Sequence, residues 1–339
     1  MAKGSFGGRD NVVEAVLAAC RGDDLVRAGG DVVVAFSGGP DSTAMLHALA
    51  RASSALGLRL QAVHVDHGLR PSAAAQAARA ARFAAELGVP VQVLRVNPRG
   101  SSEDAARRAR HRALERVAGR HGAHSIAFGH TIGDQAETVL LHLLRGSGVA
   151  GLAAMSRRDG LRFRPLLEVT RTQVERYCAR ERLVPDIDES NSDPRFTRNR
   201  VRQELIPLLE QRFNPRIQDA LARLARAARD EHQVVRLAAA GWLEQQSPAL
   251  SRPGFLGLPD AVQVEVLRLA WAAAMGDAQP PGGSARIEQA LRLVRGAGPG
   301  MIQLGSGFEL LADEHQLWIR PVERLRDRRR DGPRILTEP

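Results

Sequence analysis

Positions 32 to 43 read VVVAFSGGPDST, an apolar β-branched run that breaks into two glycines before a helix-forming stretch. Such a junction suits an anion. Gly38 and Gly39 can take up backbone conformations closed to other residues, and they let main-chain N–H groups approach a phosphate. The helix behind them points its positive end at the same place. Ser37 and Ser42 add hydroxyl donors, and Pro40 and Asp41 complete the string. Lys3 is the only lysine among 48 basic residues, so no Walker-type lysine stands in this loop. The loop then fits a nucleotide that releases pyrophosphate with Mg²⁺ rather than one that loses its γ-phosphate. A tight glycine-rich βα turn is the competing reading of a bare glycine pair; the full SGGPDS string is more specific.

A second constellation is GHTIGDQAET at 129 to 138, where Asp134 and Glu137 stand three apart and so share one helix face. Placed at the C-terminal edge of a parallel sheet, two carboxylates could hold an ammonium group or Mg²⁺. One of them could accept the proton an amine must lose to become nucleophilic. An aspartate followed three residues later by a glutamate is also a capping box, and both readings stand. Arginines 107, 108, 110, 112, 116 and 120 crowd one predicted helix, and Arg195, Arg198, Arg200 and Arg202 crowd a polar stretch. A solvated face explains such runs as well as a polyanion site does. His64, Asp66 and His67 superficially resemble a metal triad, but histidines at a strand edge more often make ordinary polar contacts. Cys20 and Cys178 lie far apart with no partner pattern, which argues against a disulfide framework and a zinc site.

The elements that must position these residues follow an α/β rhythm. Strands are expected at 31–36, 60–65, 91–96 and 124–128, with helices at 42–56, 72–87, 102–120 and 133–145 between and after them. Gly57, Gly88 and Gly122 fall where left-handed helix C-caps belong. Beyond Gly151 a helix is expected at 171–181, then a polar loop over PDIDESNSDPRFTRNR, then a long amphipathic helix from Pro215. Helices at 261–274 and 285–294 lead to short strands near 301–304, 308–311 and 317–319. With 339 residues, 44% apolar and 25% charged, two domains are expected. The division read from the sequence is an N-terminal domain at 1–214, a linker helix at 215–246, a C-terminal domain at 247–325 and a loose tail at 326–339. A net charge of +10 suggests a polyanionic partner, although coding drift toward arginine gives the same number. The N-terminus lacks an apolar signal core, and no run of about 18 apolar residues could cross a bilayer. A cytoplasmic protein that does not engage a membrane is expected.

SGGPDS matches the SGGxDS signature of the PP-loop ATP pyrophosphatases. Further segments narrow the resemblance to the tRNA(Ile)-lysidine synthase family: HVDHGLRPSAAAQA at 64–77, EDAARRARHRAL at 103–114, GHTIGDQAETVLLHLLRGSGVAGLAAM at 129–155, RPLLEVTR at 164–171 and DESNSDPRFTRNRVRQELIP at 188–207. His111 departs from the tyrosine usual after the second arginine of the ExxxR element. The resemblance implies an α/β fold: a parallel-sheet PP-loop domain of the adenine nucleotide alpha hydrolase type, a helical linker, and a small α+β C-terminal domain that helps hold tRNA. It implies the shorter architecture of the family and leaves room for a homodimer. It implies ATP and Mg²⁺ as cofactors, with free L-lysine and a tRNA(Ile) carrying a CAU anticodon as partners. Lysine would be joined to C2 of the wobble cytidine through an adenylated cytidine, releasing AMP and pyrophosphate. ATP would lie against Ser37, Gly38, Gly39, Pro40, Asp41 and Ser42, with Val63, His64, Gly129 and His130 beside it. Asp41 would hold Mg²⁺ against the departing pyrophosphate. Asp41, Asp134, Glu137, Arg110 and Arg202 form the expected catalytic set. Arg107, Arg110, Arg198, Arg200 and Arg202 would meet phosphate, tRNA backbone or the lysine carboxylate.

Three rivals share parts of the pattern. A tRNA thiolase would need a cysteine near the loop, a nucleotide amidase leaves GHTIGDQAET with TRNRVR unexplained, and a non-catalytic RNA-binding protein could carry a relic loop. With 13 aromatic residues in the chain, base recognition would rest more on arginine stacking and hydrogen bonds than on aromatic platforms.

Overall fold

The computed structural model describes residues 12–22, 30–66, 73–96, 103–186, 195–246, 249–276, 284–296 and 298–322. His67, the side chain of Asp66, the stretch 187–194 and the tail from 323 lie outside the described residues. Residues 1–146 with 151–227 form one compact unit, and 147–150 with 228–339 form another.

In the first unit the apolar runs become β1 (Asp31–Ala35), β2 (Arg59–Asp66), β3 (Val91–Arg95), β4 (Ser125–Ala127) and β6 (Arg162–Phe163), all parallel to their neighbours. The two-residue β5 (Arg158–Asp159) pairs antiparallel with β6 at the edge. Spatial order is β3-β2-β1-β4-β6-β5, so the chain moves one way from β1 through β2 to β3 and then crosses to the other side of β1 for β4. That reversal opens a crevice at the C-terminal ends of β1 and β4, the place where open α/β sheets bind ligands.

Because β1 alternates its side chains, Val32 and Val34 enter one core and Val33 the other. The first core also takes buried residues of α1 (Val12–Arg21), α2 (Pro40–Leu56), α3 (Ala73–Glu86) and α7 (Arg171–Arg180). The second takes Leu114, Val117 and Ala118 of α4 (Glu103–His121). A third cluster backs α5 (Ile132–Leu144): Ala136, Val139 and Leu140 meet Val201, Ile206, Leu221 and Ala225.

This last cluster corrects the end of the polar loop expected at 185–200, of which 187–194 lie outside the described residues. The chain is helical from Thr197 to Arg212, as α8 (Thr197–Arg200), a π turn over Val201–Leu205 and α9 (Ile206–Arg212). Burial of Val201 and Ile206 against α5 outweighs the surrounding charge. Pro207 explains the π turn, since it has no N–H to give the carbonyl of Gln203 and its ring crowds that oxygen, so the helix widens just before it.

The long amphipathic pattern is α10 (Ile217–Glu244), 28 residues in one helix. Its far end enters the second unit, where Ala239 shares a core with Phe255, Val266, Leu267, Trp271, Leu304, Leu310 and Leu317. That core lies among α11 (Arg252–Leu256), α12 (Asp260–Ala274), α13 (Ser284–Arg295) and an antiparallel sheet of order β7-β10-β9-β8, with β7 at Leu250–Ser251, β8 at Gly300–Gly305, β9 at Phe308–Ala312 and β10 at Gln316–Pro321. No helix among the described residues is long and apolar enough to cross a membrane.

Candidate active site

The loop between β1 and α2 leads straight into a helix start and holds the Gly39 amide on the Ser37 hydroxyl at 3.4 Å. Gly38 has a φ of +89°, and Gly39 caps α2 with extended backbone before Pro40 opens the helix. Ser37 and Ser42 close the loop through a hydroxyl–hydroxyl contact of 3.0 Å. The Ser37 amide donates to the Ser42 hydroxyl at 3.2 Å, and that hydroxyl reaches the Gly39 carbonyl at 3.0 Å. Thr43 adds a hydroxyl bond to the Gly38 carbonyl at 3.0 Å. The loop is therefore tied by its own hydroxyls, while the first-turn amides of α2 have no carbonyl four residues back to satisfy them.

The segment after β4 comes up against this helix start. A β-carbon on Gly129 would lie 3.1 Å from the backbone of Asp41 and Ser42, so only glycine lets the two chain segments approach this closely. Asp41 sits at the junction with Oδ1 buried and without a hydrogen-bond partner. Burial, then the neighbouring Asp134 carboxylate, push its pKa up to about 6, against the pull of Arg171 and Arg202. A carboxylate with an orphan oxygen beside a second carboxylate fits a hard divalent cation bridging to phosphate. Among the described residues no three His, Cys, Asp or Glu side chains cluster as a protein-only metal site. His64 gives its Nδ1 to an ordinary 3.0 Å contact with the Phe36 carbonyl. Val63 lies in the core under α4, and its carbonyl accepts the Phe36 amide at 2.9 Å.

Asp134 and Glu137 are brought together, but the capping box read between them is not the one that forms: Thr131 is the N-cap of α5 with Asp134 as its third residue, and Glu137 takes no part in it. Thr131 and Asp134 form a capping box, with the Thr131 amide donating to Asp134 Oδ2 at 2.9 Å. The remaining oxygens are taken by two arginines from the helical turn at 197–205. Arg198 donates through Nε to Glu137 at 2.7 Å and through Nη2 to Asp134 at 3.2 Å. Arg202 donates through Nε to the other Glu137 oxygen and through Nη2 to Asp134 at 3.1 Å. Two buried carboxylates are thus neutralised by two guanidinium groups. Burial works to raise the Asp134 pKa, but the Arg198 guanidinium, the Thr131 amide and Arg202 outweigh it and hold the group below the usual carboxylate range. Arg200, on the same turn, is exposed.

His130 forms the far wall. Its Nδ1 is buried without a partner, and burial, with Arg164, Arg198 and Arg107 adding to it, drives its pKa down to about 3 despite Asp134. The ring stacks on Phe128 at 5.7 Å, and His111 also stacks on Phe128, at 5.1 Å. His111 is also held neutral, at about 4, first by burial and then by Arg162, Arg107, Arg110 and Arg164. Arg107 is exposed and Arg110 half-buried on α4, both close enough to His111 to act on it.

Two residues against the loop have no signal in the sequence: Asp186, whose amide donates to the Gly38 carbonyl at 2.9 Å, and Arg79, paired with Asp186 at 2.6 Å. Cys178 packs behind the loop, 3.9 Å from the Pro40 carbonyl, and burial, then Asp41 and Glu175, push its thiol up to about 11.

A parallel sheet with a glycine-rich phosphate loop at its switch point defines a PP-loop nucleotide-binding protein, and residues 13–209 match the PP-loop domain family ATP_bind_3. The chain belongs, within that class, to the tRNA(Ile)-lysidine synthase family. It is 43% identical over 251 residues to the tRNA(Ile)-lysidine synthase of Thermobifida fusca, covering 71% of this chain and 76% of that one. Its identity to the Salinispora tropica tRNA(Ile)-lysidine synthase is 43% over 298 residues, covering 83% and 88%. To the one from Symbiobacterium thermophilum it is 39% over 310 residues, and there the chain spans 64% of the relative's length. Among solved structures, the U34-tRNA thiolase NcsA from Methanococcus maripaludis shares the fold with a TM-score of 0.54 at 18% identity, over 65% of this chain and 78% of that chain.

Proposed function

We propose that this chain is a cytoplasmic ligase that uses ATP to join free L-lysine to C2 of the wobble cytidine of a tRNA(Ile) with a CAU anticodon. The observation that carries the proposal is the convergence of the phosphate loop, the orphaned Asp41 carboxylate and the Asp134–Glu137 pair on one crevice. The first step forms a bond between cytidine O2 and the α-phosphorus and breaks the bond to the leaving pyrophosphate. In the second the lysine ε-nitrogen bonds C2, the C2–O bond breaks, AMP leaves and the nitrogen gives up its proton. Ser37, Gly38, Gly39 and Ser42 cradle the phosphates, Asp41 holds Mg²⁺, and Mg²⁺ when bound neutralises charge developing on the pyrophosphate.

Charge balance gives the arginines their role. Asp134 and Glu137 are neutral overall with Arg198 and Arg202 in place, so a lysine ammonium enters only if one guanidinium turns away. Arg202 also acts on Asp41, so it is the one that can turn toward the phosphates. One carboxylate of the pair then accepts the proton. Arg107 and Arg110 flank the crevice on α4 and suit tRNA or nucleotide phosphate, and His130 lies where the nucleotide or cytidine would meet the carboxylates. A thiolase reading is disfavoured because Cys178 is a buried thiol and Cys20 is buried in the α1 core, so neither is a ready nucleophile. The test is incubation with ATP, radiolabelled lysine and CAU-anticodon tRNA. Label should enter the RNA with one AMP formed per lysine, and AMP formation that does not depend on lysine would refute the reading.

A further inference from the structure

Asp186 places a carboxylate on the phosphate loop itself. Its amide donates to the Gly38 carbonyl at 2.9 Å, and its Oδ2 lies 2.9 Å from where a β-carbon of Gly38 would stand. Its other oxygen accepts from Arg79 Nε at 2.6 Å. The Asp186 side chain is 17% exposed whereas that of Arg79 is 47% exposed, so the carboxylate is pressed onto the loop and the guanidinium reaches it from the solvent side. Neither residue falls in any of the segments that carry the family resemblance, and no role in the reaction described above requires them.

A loop whose glycine backbone faces an anion, with an arginine on the far side of that anion, is the arrangement a phosphate would have. We propose that Asp186 stands in for a nucleotide phosphate at the loop and holds Arg79 beside it as a further phosphate ligand, so that nucleotide binding exchanges one carboxylate for one phosphate. The inference rests on the reading of the loop as an ATP site. Two consequences follow from the charges. The carboxylate competes with the nucleotide, so the apparent affinity is reduced by the fraction of molecules in which the loop is already filled. Arg79, once released, pairs with phosphate, whose charge and bidentate geometry suit a guanidinium better than a single carboxylate oxygen.

The experiment measures binding of ATP, pyrophosphate and adenosine by calorimetry, with Mg²⁺ present, to the full chain and to Asp186→Asn, Arg79→Ala and the double variant. Asp186→Ser repeats the reading should the amide distort the loop, and thermal melting checks each fold. Asp186→Asn should tighten ATP and pyrophosphate roughly tenfold and leave adenosine unchanged. In that background Arg79→Ala should weaken ATP by about the same factor. Unchanged or weaker ATP binding by both Asp186 variants, with the original chain binding normally, overturns the exchange while leaving the nucleotide site intact. If neither the original chain nor any variant binds ATP, the nucleotide reading falls and the inference with it.

Discussion

At the scale of single residues, Asp41 carries the largest conflict between folding and function. Its pKa is raised to about 6 by burial and by Asp134, so the folded chain binds protons more readily there than the unfolded chain, whose aspartate titrates near 3.8. Stability is therefore lost as pH rises from about 4 to 6, and above that window the charged form costs on the order of 3 kcal/mol. Asp41→Asn removes the charge, so it should melt higher than the original chain at pH 8, with the gap closing as pH falls through 6 to 4. The same variant should release no pyrophosphate, because an amide does not neutralise Mg²⁺ as a carboxylate does. Equal melting at pH 8, or near-normal turnover, would contradict the role. Glu137→Gln tests the charge of the carboxylate pair: it keeps shape and one of the two arginine hydrogen bonds, the one its remaining carbonyl oxygen can accept, but removes the charge an ammonium needs. Lysine transfer should fall at least a hundredfold while ATP binding stays within about twofold. Asp134→Ala should in addition lose about 1–3 kcal/mol of thermal stability, since it removes the α5 cap and leaves two guanidinium groups with a single partner.

At the scale of elements, much of the site was legible because local pattern and tertiary position agree. The strand runs are apolar and β-branched, SGGPDS follows one and GHTIG another, and Gly57, Gly88 and Gly122 take left-handed φ values of 64°, 66° and 61° where C-caps were expected. The helix at 197–212 was not legible, because four arginines hide a packing stripe of only two buried residues, Val201 and Ile206. No local pattern ties Arg198 to Glu137, 61 residues earlier, or Asp186 to Arg79, 107 residues earlier; these pairings exist only once the sheet is assembled. The junction of β4 with α2 gives one test. In Gly129→Ala the new methyl meets backbone rather than a flexible side chain, so α2 must shift, which should cost about 1–3 kcal/mol in stability and weaken ATP binding. A variant that melts and binds as the original would show that the close approach is dispensable. The arginines of α4 divide in the same spirit. Arg110 is half-buried near His111, whereas Arg116 and Arg120 line, with Arg95 of β3, a recess of about 540 Å³ on the other part of the helix. Arg110→Ala should reduce single-turnover transfer, and Arg116→Gln with Arg120→Gln should leave the transfer rate of bound tRNA unchanged.

At the scale of the whole chain, charge is spread rather than concentrated. Residues 1–150, 151–215 and 216–339 carry basic excesses of five, three and two, so neither end monopolises the +10. Phosphate contacts release counterions, and tRNA affinity should fall steeply with salt, each lost contact reducing the log–log slope by roughly 0.7–0.9. The second unit's contribution is best tested by removing it, and the packing decides where to cut. Ending the chain at Pro215 would strip Leu221 and Ala225 from behind α5 and so damage the carboxylate pair they support. Ending it a few residues beyond Ala227 preserves that cluster, because the first compact unit extends to that point within α10. Such a truncation should bind ATP as the intact chain does, bind tRNA more weakly, and show a shallower salt slope. Arg202→Ala should behave in the opposite way, leaving the slope within about one contact of the intact chain while single-turnover transfer collapses, because its guanidinium is spent on Glu137 and Asp134 rather than on solvent-facing phosphate. Affinity measured against salt for the three proteins, beside their single-turnover rates, decides the matter: a truncation that grips tRNA as tightly as the intact chain would confine recognition to the PP-loop unit.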